Sequence, residues 1–158
     1  MHLELSAQIG ILLVVVHNGV REKVSVPVAD HADFQFGTGA FTIEAWVYPV
    51  SAGGSVENMI VSKGTSTAYW MLRHEENNTQ GRVRWYASDN SVTVADIKVD
   101  LAATRWAYDT WHHIAVVADG STFRYYLNGV NQTKISGDVT LNTGTTDIDS
   151  VFWIGNRN

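Results

Sequence analysis

The sequence predicts an all-β domain of the sandwich or barrel kind. Three observations point there. Apolar and polar residues alternate through most of the chain, as on strands with one buried face. Turn pairs such as Asn18-Gly19, Asp119-Gly120 and Asn128-Gly129 punctuate that alternation, and such pairs accept the backbone of tight hairpins. No stretch keeps a helical period of apolar residues.

The elements follow in order. Residues 9–16 are apolar, with Val14, Val15 and Val16 β-branched. This run is too short to cross a bilayer. His2 and Glu4 precede it and the first cationic residue other than His is Arg21, so it lacks the basic leader of an export signal. It reads as a buried strand. Residues 11–17, the Asn18-Gly19 turn and residues 20–28 form an expected hairpin. Val20, Val24, Val26 and Val28 share one face of its second arm, and Pro27 suits an edge strand or a strand end. Residues 41–47 alternate cleanly: Phe41, Ile43, Ala45 and Val47 on one face, Thr42, Glu44 and Trp46 on the other, with Pro49 closing the strand.

Residues 51–55 form a loose Gly/Ser segment. Short strands are expected at 59–62, 69–73 and 82–87, with residues 75–81 as a polar hairpin loop between the last two. Residues 92–99 read as a strand. Residues 111–118 alternate again, Asp119-Gly120 turns into 122–127, and Asn128-Gly129 leads into 130–135. Weaker strands are expected at 139–141 and 151–154. Roughly a dozen short strands with regular turn signals are what a sandwich or barrel needs.

Composition sets the outer limits. The chain has 158 residues, a net charge of −5, 45% hydrophobic and 17% charged residues, and no cysteine. That fits one self-sufficient domain spanning residues 1–158, with no linker, composition shift or internal repeat to divide it. Lack of cysteine removes disulfide scaffolds, Cys-ligated zinc, iron–sulfur sites and thiol nucleophiles. The acidic balance argues against nucleic acid as a partner, and no segment reads as a membrane span.

Two segments carry a family resemblance. The first is Phe36-Gly-Thr-Gly-Ala-Phe-Thr-Ile-Glu-Ala-Trp-Val-Tyr-Pro49; the second is Trp111-His-His-Ile-Ala-Val-Val-Ala-Asp-Gly120, continuing through Phe123-Arg-Tyr-Tyr-Leu-Asn-Gly129. Ile60-Val-Ser-Lys-Gly64 lies between them and Phe152-Trp-Ile-Gly155 after them. Their order and spacing resemble a concanavalin A-like domain of the laminin G type, over roughly residues 24–155. The resemblance implies two antiparallel sheets packed as a jelly roll. The wording of residues 31–48 resembles versions in bacteriophage virion proteins such as fibres and decoration proteins. Relatives usually end with one more strand that this sequence lacks, while residues 1–19 have no counterpart. We therefore expect a body at 20–158 and an extra N-terminal strand at 1–19 that fills the open edge, within the chain or in a neighbouring subunit.

The chemistry is sparse. The glucanases of this superfamily carry a Glu-x-Asp-x-Glu strand, which sets three carboxylates on one face to flank a glycosidic bond. No such triplet occurs. Glu75-Glu76 is expected in an exposed loop. Asp147 and Asp149, with Asn142, offer oxygen ligands for calcium, and the resemblance implies calcium sites at one rim of such sandwiches; Asp also favours turns for purely local reasons, and that is the favoured reading of these residues. His112 and His113 are neighbours on a strand and point to opposite faces, so they cannot grip one ion. Gly37-Thr-Gly39 precedes a strand rather than a helix and makes no dinucleotide site.

Arg82 and Arg84 share a strand face beside Trp85 and Tyr86. They suit an acidic glycan or a stacked sugar, or an ordinary amphipathic surface with Val83 and Trp85 inward. Trp106 and Tyr108 are expected in a loop before Trp111, near Arg105 and Asp109, where aromatic rings stack on sugars or pack at interfaces. The expectation is therefore a non-enzymatic structural protein of a phage virion, a decoration or fibre component, with other virion subunits or its own copies as partners and glycans as ligands. It would sit on the virion surface. The alternative is a secreted or cell-surface carbohydrate-binding module; a glycoside hydrolase is disfavoured by the missing carboxylates. No cofactor is required, and calcium is the one ion the sequence suggests.

Overall fold

A computed structural model describes residues 7–10, 25–29, 40–49, 56–77, 80–89, 92–101, 107–119, 122–133 and 150–155. Every regular element among them is a strand: β1 Ala7–Gly10, β2 Ser25–Val28, β3 Phe41–Val47, β4 Val56–Gly64, β5 Tyr69–Asn77, β6 Gln80–Asp89, β7 Val92–Leu101, β8 His112–Ala118, β9 Phe123–Leu127, β10 Val130–Gln132 and β11 Phe152–Gly155. They form two sheets, five-stranded β1-β3-β8-β9-β10 and six-stranded β2-β11-β4-β5-β6-β7. All pairings are antiparallel except β1 with β3. The two sheets make the all-β sandwich that the sequence predicts.

The alternation sets the core. Phe41, Ile43, Ala45 and Val47 on β3, and Ile114, Val116 and Ala118 on β8, turn one way. Trp70 and Leu72 on β5, Val83, Trp85 and Ala87 on β6, and Ile97 and Val99 on β7 turn to meet them. Trp70 stacks on Trp85 at 5.4 Å between ring centroids, and Trp85 touches Phe41 at 5.3 Å and Phe123 at 5.7 Å. These rings bridge the two sheets. The buried Tyr125 hydroxyl donates to the Ile97 carbonyl at 3.3 Å, also from sheet to sheet.

Two turns show their sequence cause. Asn128 and Gly129 have φ of 50° and 77°, as a two-residue hairpin turn requires. The Asn128 side-chain oxygen accepts the His113 N–H at 2.8 Å, and its own N–H donates to the His113 carbonyl at 2.8 Å. Asp119 closes its turn by accepting the Thr122 N–H at 2.8 Å.

Several expectations change. The polar loop placed at residues 75–81 is strand instead: β5 continues to Asn77 and β6 starts at Gln80. Glu75 is thus not a loop residue but a half-buried one. The strand continues because cations on its own and the neighbouring strand neutralise the carboxylate. Ile60 falls at a register shift between Met59 and Val61, which lets Ile60 and Val61 both reach the interior. Residues 11–19, 134–149 and Trp106 lie outside the described residues, and so do the expected first hairpin arm and the strand at 139–141. Of the N-terminal segment, residues 7–10 run parallel to β3, with Ala7 opposite Phe41 and Gly10 opposite Glu44. Among the described strands, β2, which carries Pro27, lies at the edge of its sheet.

Candidate functional site

The outer face of the six-stranded sheet holds a polar and aromatic network. On β5, Trp70, Leu72 and His74 point inward, so Tyr69, Met71, Arg73 and Glu75 point outward. Arg82, Arg84 and Tyr86 do the same on β6, and Asp96 and Lys98 on β7. The register aligns Arg73, Arg84 and Lys98 in one row across three strands. Like charges directly opposite destabilise a sheet; here carboxylates on the diagonals offset them.

Arg84 is the centre. Its Nε donates to Asp96 Oδ1 at 2.6 Å and its Nη2 to Asp96 Oδ2 at 2.9 Å, a fork-to-carboxylate grip. Its Nη1 donates to Glu75 Oε1 at 3.0 Å. Arg73 pairs with Glu75 at 2.5 Å, Arg82 with Glu75 at 3.7 Å and Lys98 with Asp96 at 3.2 Å. Arg84 also lies over the Tyr86 ring, 5.0 Å from its centroid, and Tyr86 stacks on Tyr69 at 5.7 Å with 25° between planes.

The electrostatics follow from these contacts. Burial pushes the Glu75 carboxyl up, but hydrogen bonds and charge from Arg84 and Arg73 outweigh it and hold the group below its ordinary value. Asp96 behaves alike: burial raises it, and Arg84 and Lys98 pull it lower still. Both are ionised at neutral pH and act as fixed acceptors. Successive outward positions of β5 after Tyr69 carry Met71, Arg73 and Glu75.

A second group of rings lies on the outer face of the other sheet. Trp46 and Trp111 are 44% and 41% exposed. Trp46 contacts His113 at 5.2 Å and Tyr48 meets Trp111 edge-on at 5.4 Å. His113 Nε2 is 3.2 Å from Glu44 Oε2. His112 points the opposite way and is buried. Its Nε2 donates to the Ala107 carbonyl at 2.9 Å and its Nδ1 accepts from Asn128 Nδ2 at 3.3 Å. Neither histidine serves as half of a shared metal site. Among the described residues no group of three or more metal-ligating side chains is clustered, and no helix is long and apolar enough to cross a membrane.

Of the residues singled out in the sequence, Arg82 and Arg84 stand together in the six-stranded face. Tyr108 stands elsewhere: it is partly buried and packed against the core, in a short loop fixed by the Asp109 N–H donating to the Pro49 carbonyl at 2.8 Å. Trp106, Asp147 and Asp149 lie outside the described residues. Sequence reasoning did not single out Tyr69, Arg73, Asp96 and Lys98 for this face, and it placed Glu75 in a loop. The signal was present as alternation through 69–75 and 96–99.

A laminin G-type family description, the concanavalin A-like lectin/glucanases superfamily, matches residues 21–158, and the chain belongs to that family. Among solved structures it is similar to tailspike protein 2 of Escherichia coli O157:H7 bacteriophage CAB120, with a TM-score of 0.52 and 16% identity over 75% of this chain. It spans 17% of that tailspike. It is also similar to the Caenorhabditis elegans galectin LEC-6, with a TM-score of 0.48 and 11% identity, covering 85% of this chain and 83% of the galectin. A Bacillus licheniformis β-glucanase gives a TM-score of 0.44 at 13% identity, covering 84% of this chain and 64% of the glucanase. No curated protein matches the sequence.

Proposed function

We propose that this chain is a non-enzymatic carbohydrate-binding domain that serves as a structural part of a bacteriophage virion, with the outer face of β5, β6 and β7 as its glycan face. The observation that carries the binding reading is the Arg84 fork held by Asp96 and Glu75 beside the Tyr69–Tyr86 stack. Sugars present hydroxyls to fixed donors and acceptors and an apolar ring face to aromatic planes. A network already paired in the free protein loses little freedom on binding. Spare capacity remains, since a guanidinium has five N–H donors and Arg84 spends three in this network.

The virion placement draws on the resemblance of residues 31–48 to phage virion proteins. The tailspike similarity supports it at the level of fold alone. On this reading the N-terminal strand contacts other virion subunits, and deleting residues 1–17 weakens incorporation into particles. A secreted carbohydrate-binding module would use the same face, so the two readings differ in location, which mass spectrometry of purified particles decides. Calcium at Asp147 and Asp149 belongs to the same reading, and calorimetric titration of wild type and Asp149→Ala tests it.

The binding reading is tested on a glycan array with parallel product analysis. Wild type should retain one class of glycan uncleaved, and Arg82→Ala should lose it with the fold intact. Turnover of a bound glycan would overturn the non-enzymatic part; binding unaffected by Arg82→Ala would overturn the assignment of the face.

A further inference from the structure

The sheet edges are not alike. Among the described strands, β1 and β10 border the five-stranded sheet and β2 and β7 the six-stranded one. β10 has three residues and ends at a described non-strand position, and Pro27 removes a donor within β2. Short strands and proline are how native sheets blunt an edge. β7 has ten residues, and among the described residues no strand lies beyond it. Its register with β6 passes from Ala87↔Ala95 to Ser88↔Thr93, skipping Val94. The regular ladder therefore begins at Ala95.

We propose that residues 95–99 of β7 pair antiparallel with the same residues of a second copy of this chain, about a two-fold axis through Ile97, so that two six-stranded sheets become one continuous sheet. Charge selects both the partner and the register. Asp96 and Lys98 face outward, and Ile97 and Val99 face the core. With Ile97 opposite Ile97, Asp96 of each copy lies opposite Lys98 of the other. Sliding by two residues sets Asp96 against Asp96 or Lys98 against Lys98, and like charges directly opposite are destabilising. Sliding by one residue turns the charged side chains onto the core face. Only a strand carrying both charges in this order satisfies both ends of the ladder, and this chain supplies it.

Asp96 has room for the added contact. Oδ1 accepts from Arg84 Nε, and Oδ2 accepts from Arg84 Nη2 and lies 3.2 Å from Lys98 Nζ. A carboxylate takes about four donors, which leaves one for Lys98 of the second copy. The contact is isologous and closes at the dimer. It also brings both outer faces to the same side of one sheet, where a repeating glycan would meet two sites and gain avidity. The dimer itself stands apart from the glycan reading and is measured without ligand.

Sedimentation velocity on the full chain should show a concentration-dependent dimer, and Lys98→Asp should weaken it by about tenfold or more. Because Asp96 also serves Arg84, cysteine trapping reads the register independently. The chain has no cysteine, and directly opposite positions lie close enough for a disulfide. The pair Asp96→Cys with Lys98→Cys should give a reducible covalent dimer, and each single substitution should not. A monomer at every accessible concentration overturns the proposal. So do single substitutions that trap as well as the pair, or a dimer lost on deleting residues 1–17 but indifferent to Lys98→Asp.

Discussion

Arg84 holds Asp96 through two parallel N–H···O bonds of 2.6 and 2.9 Å, joining β6 to β7 at one end of the six-stranded sheet. The pair is partly solvated, with side-chain exposures of 18% and 29%, so it is worth more as a positioning device than as a source of stability. It fixes the guanidinium over the Tyr86 ring and aims the third donor at Glu75.

Replacing Arg84 by Lys keeps the charge and loses the fork. One ammonium cannot bridge Asp96 and Glu75 in the same plane. Glycan affinity measured by calorimetry should fall about tenfold or more, while thermal stability drops by about 1–2 kcal/mol. Unchanged affinity would separate the fork from recognition.

Acid should weaken the fold through His74. Burial between the sheets pulls its pKa from 6.5 to about 4, with Glu75 opposing and His112 adding to the fall. The unfolded chain therefore binds the proton more readily. The stabilisation is fully present above pH 6.5 and is lost as the pH falls toward about 4, an effect of about 3 kcal/mol. Glu75 and Asp96 have lowered folded values, so their contribution is present above their unfolded values and is lost at lower pH still. Denaturant melts across this range should show the decline in wild type and a flatter profile in His74→Leu.

Tyr125→Phe removes the hydroxyl that donates to the Ile97 carbonyl across the core. The buried carbonyl loses that donor, costing about 1 kcal/mol and lowering Tm by about 2–4 °C. A calorimetric melt checks it, and an unchanged Tm would show that the inter-sheet bond adds nothing.

Gly64→Ala should be severe. Gly64 has φ of +144°, and a Cβ there would collide with the Tyr69 backbone and Cβ and with the Ala68 carbonyl. The β4–β5 hairpin cannot yield without losing its register, so the cost exceeds about 2 kcal/mol. Soluble yield and chemical denaturation measure it, and wild-type stability would mean the hairpin is laxer than its geometry.

The strands with uninterrupted alternation were legible from residues alone. β3, β8 and β9 fall where apolar and polar positions predict them, and Asn128-Gly129 turns where its backbone freedom suggests. The face on β5–β7 was legible only in part. Arg82 and Arg84 betrayed it, but Glu75-Glu76 looked like loop, since a carboxylate reads as strand only once its cationic neighbours are known. Those neighbours, Arg82 and Arg84, sit on the next strand, and composition does not report cross-strand register. Tyr108 looked like a loop aromatic for ligands because its packing depends on the Asp109–Pro49 hydrogen bond, a long-range contact with no local signature. The parallel pairing of β1 with β3 has the same origin: nothing in residues 7–10 names their partner.

The glycan face is tested most directly by a backbone NMR titration of the full chain with the glycan its array selects. The account predicts that shift changes gather at Tyr69, Arg73, Arg82, Arg84, Tyr86 and Lys98. Changes centred instead on Trp46 and Trp111, on the opposite sheet, would contradict it.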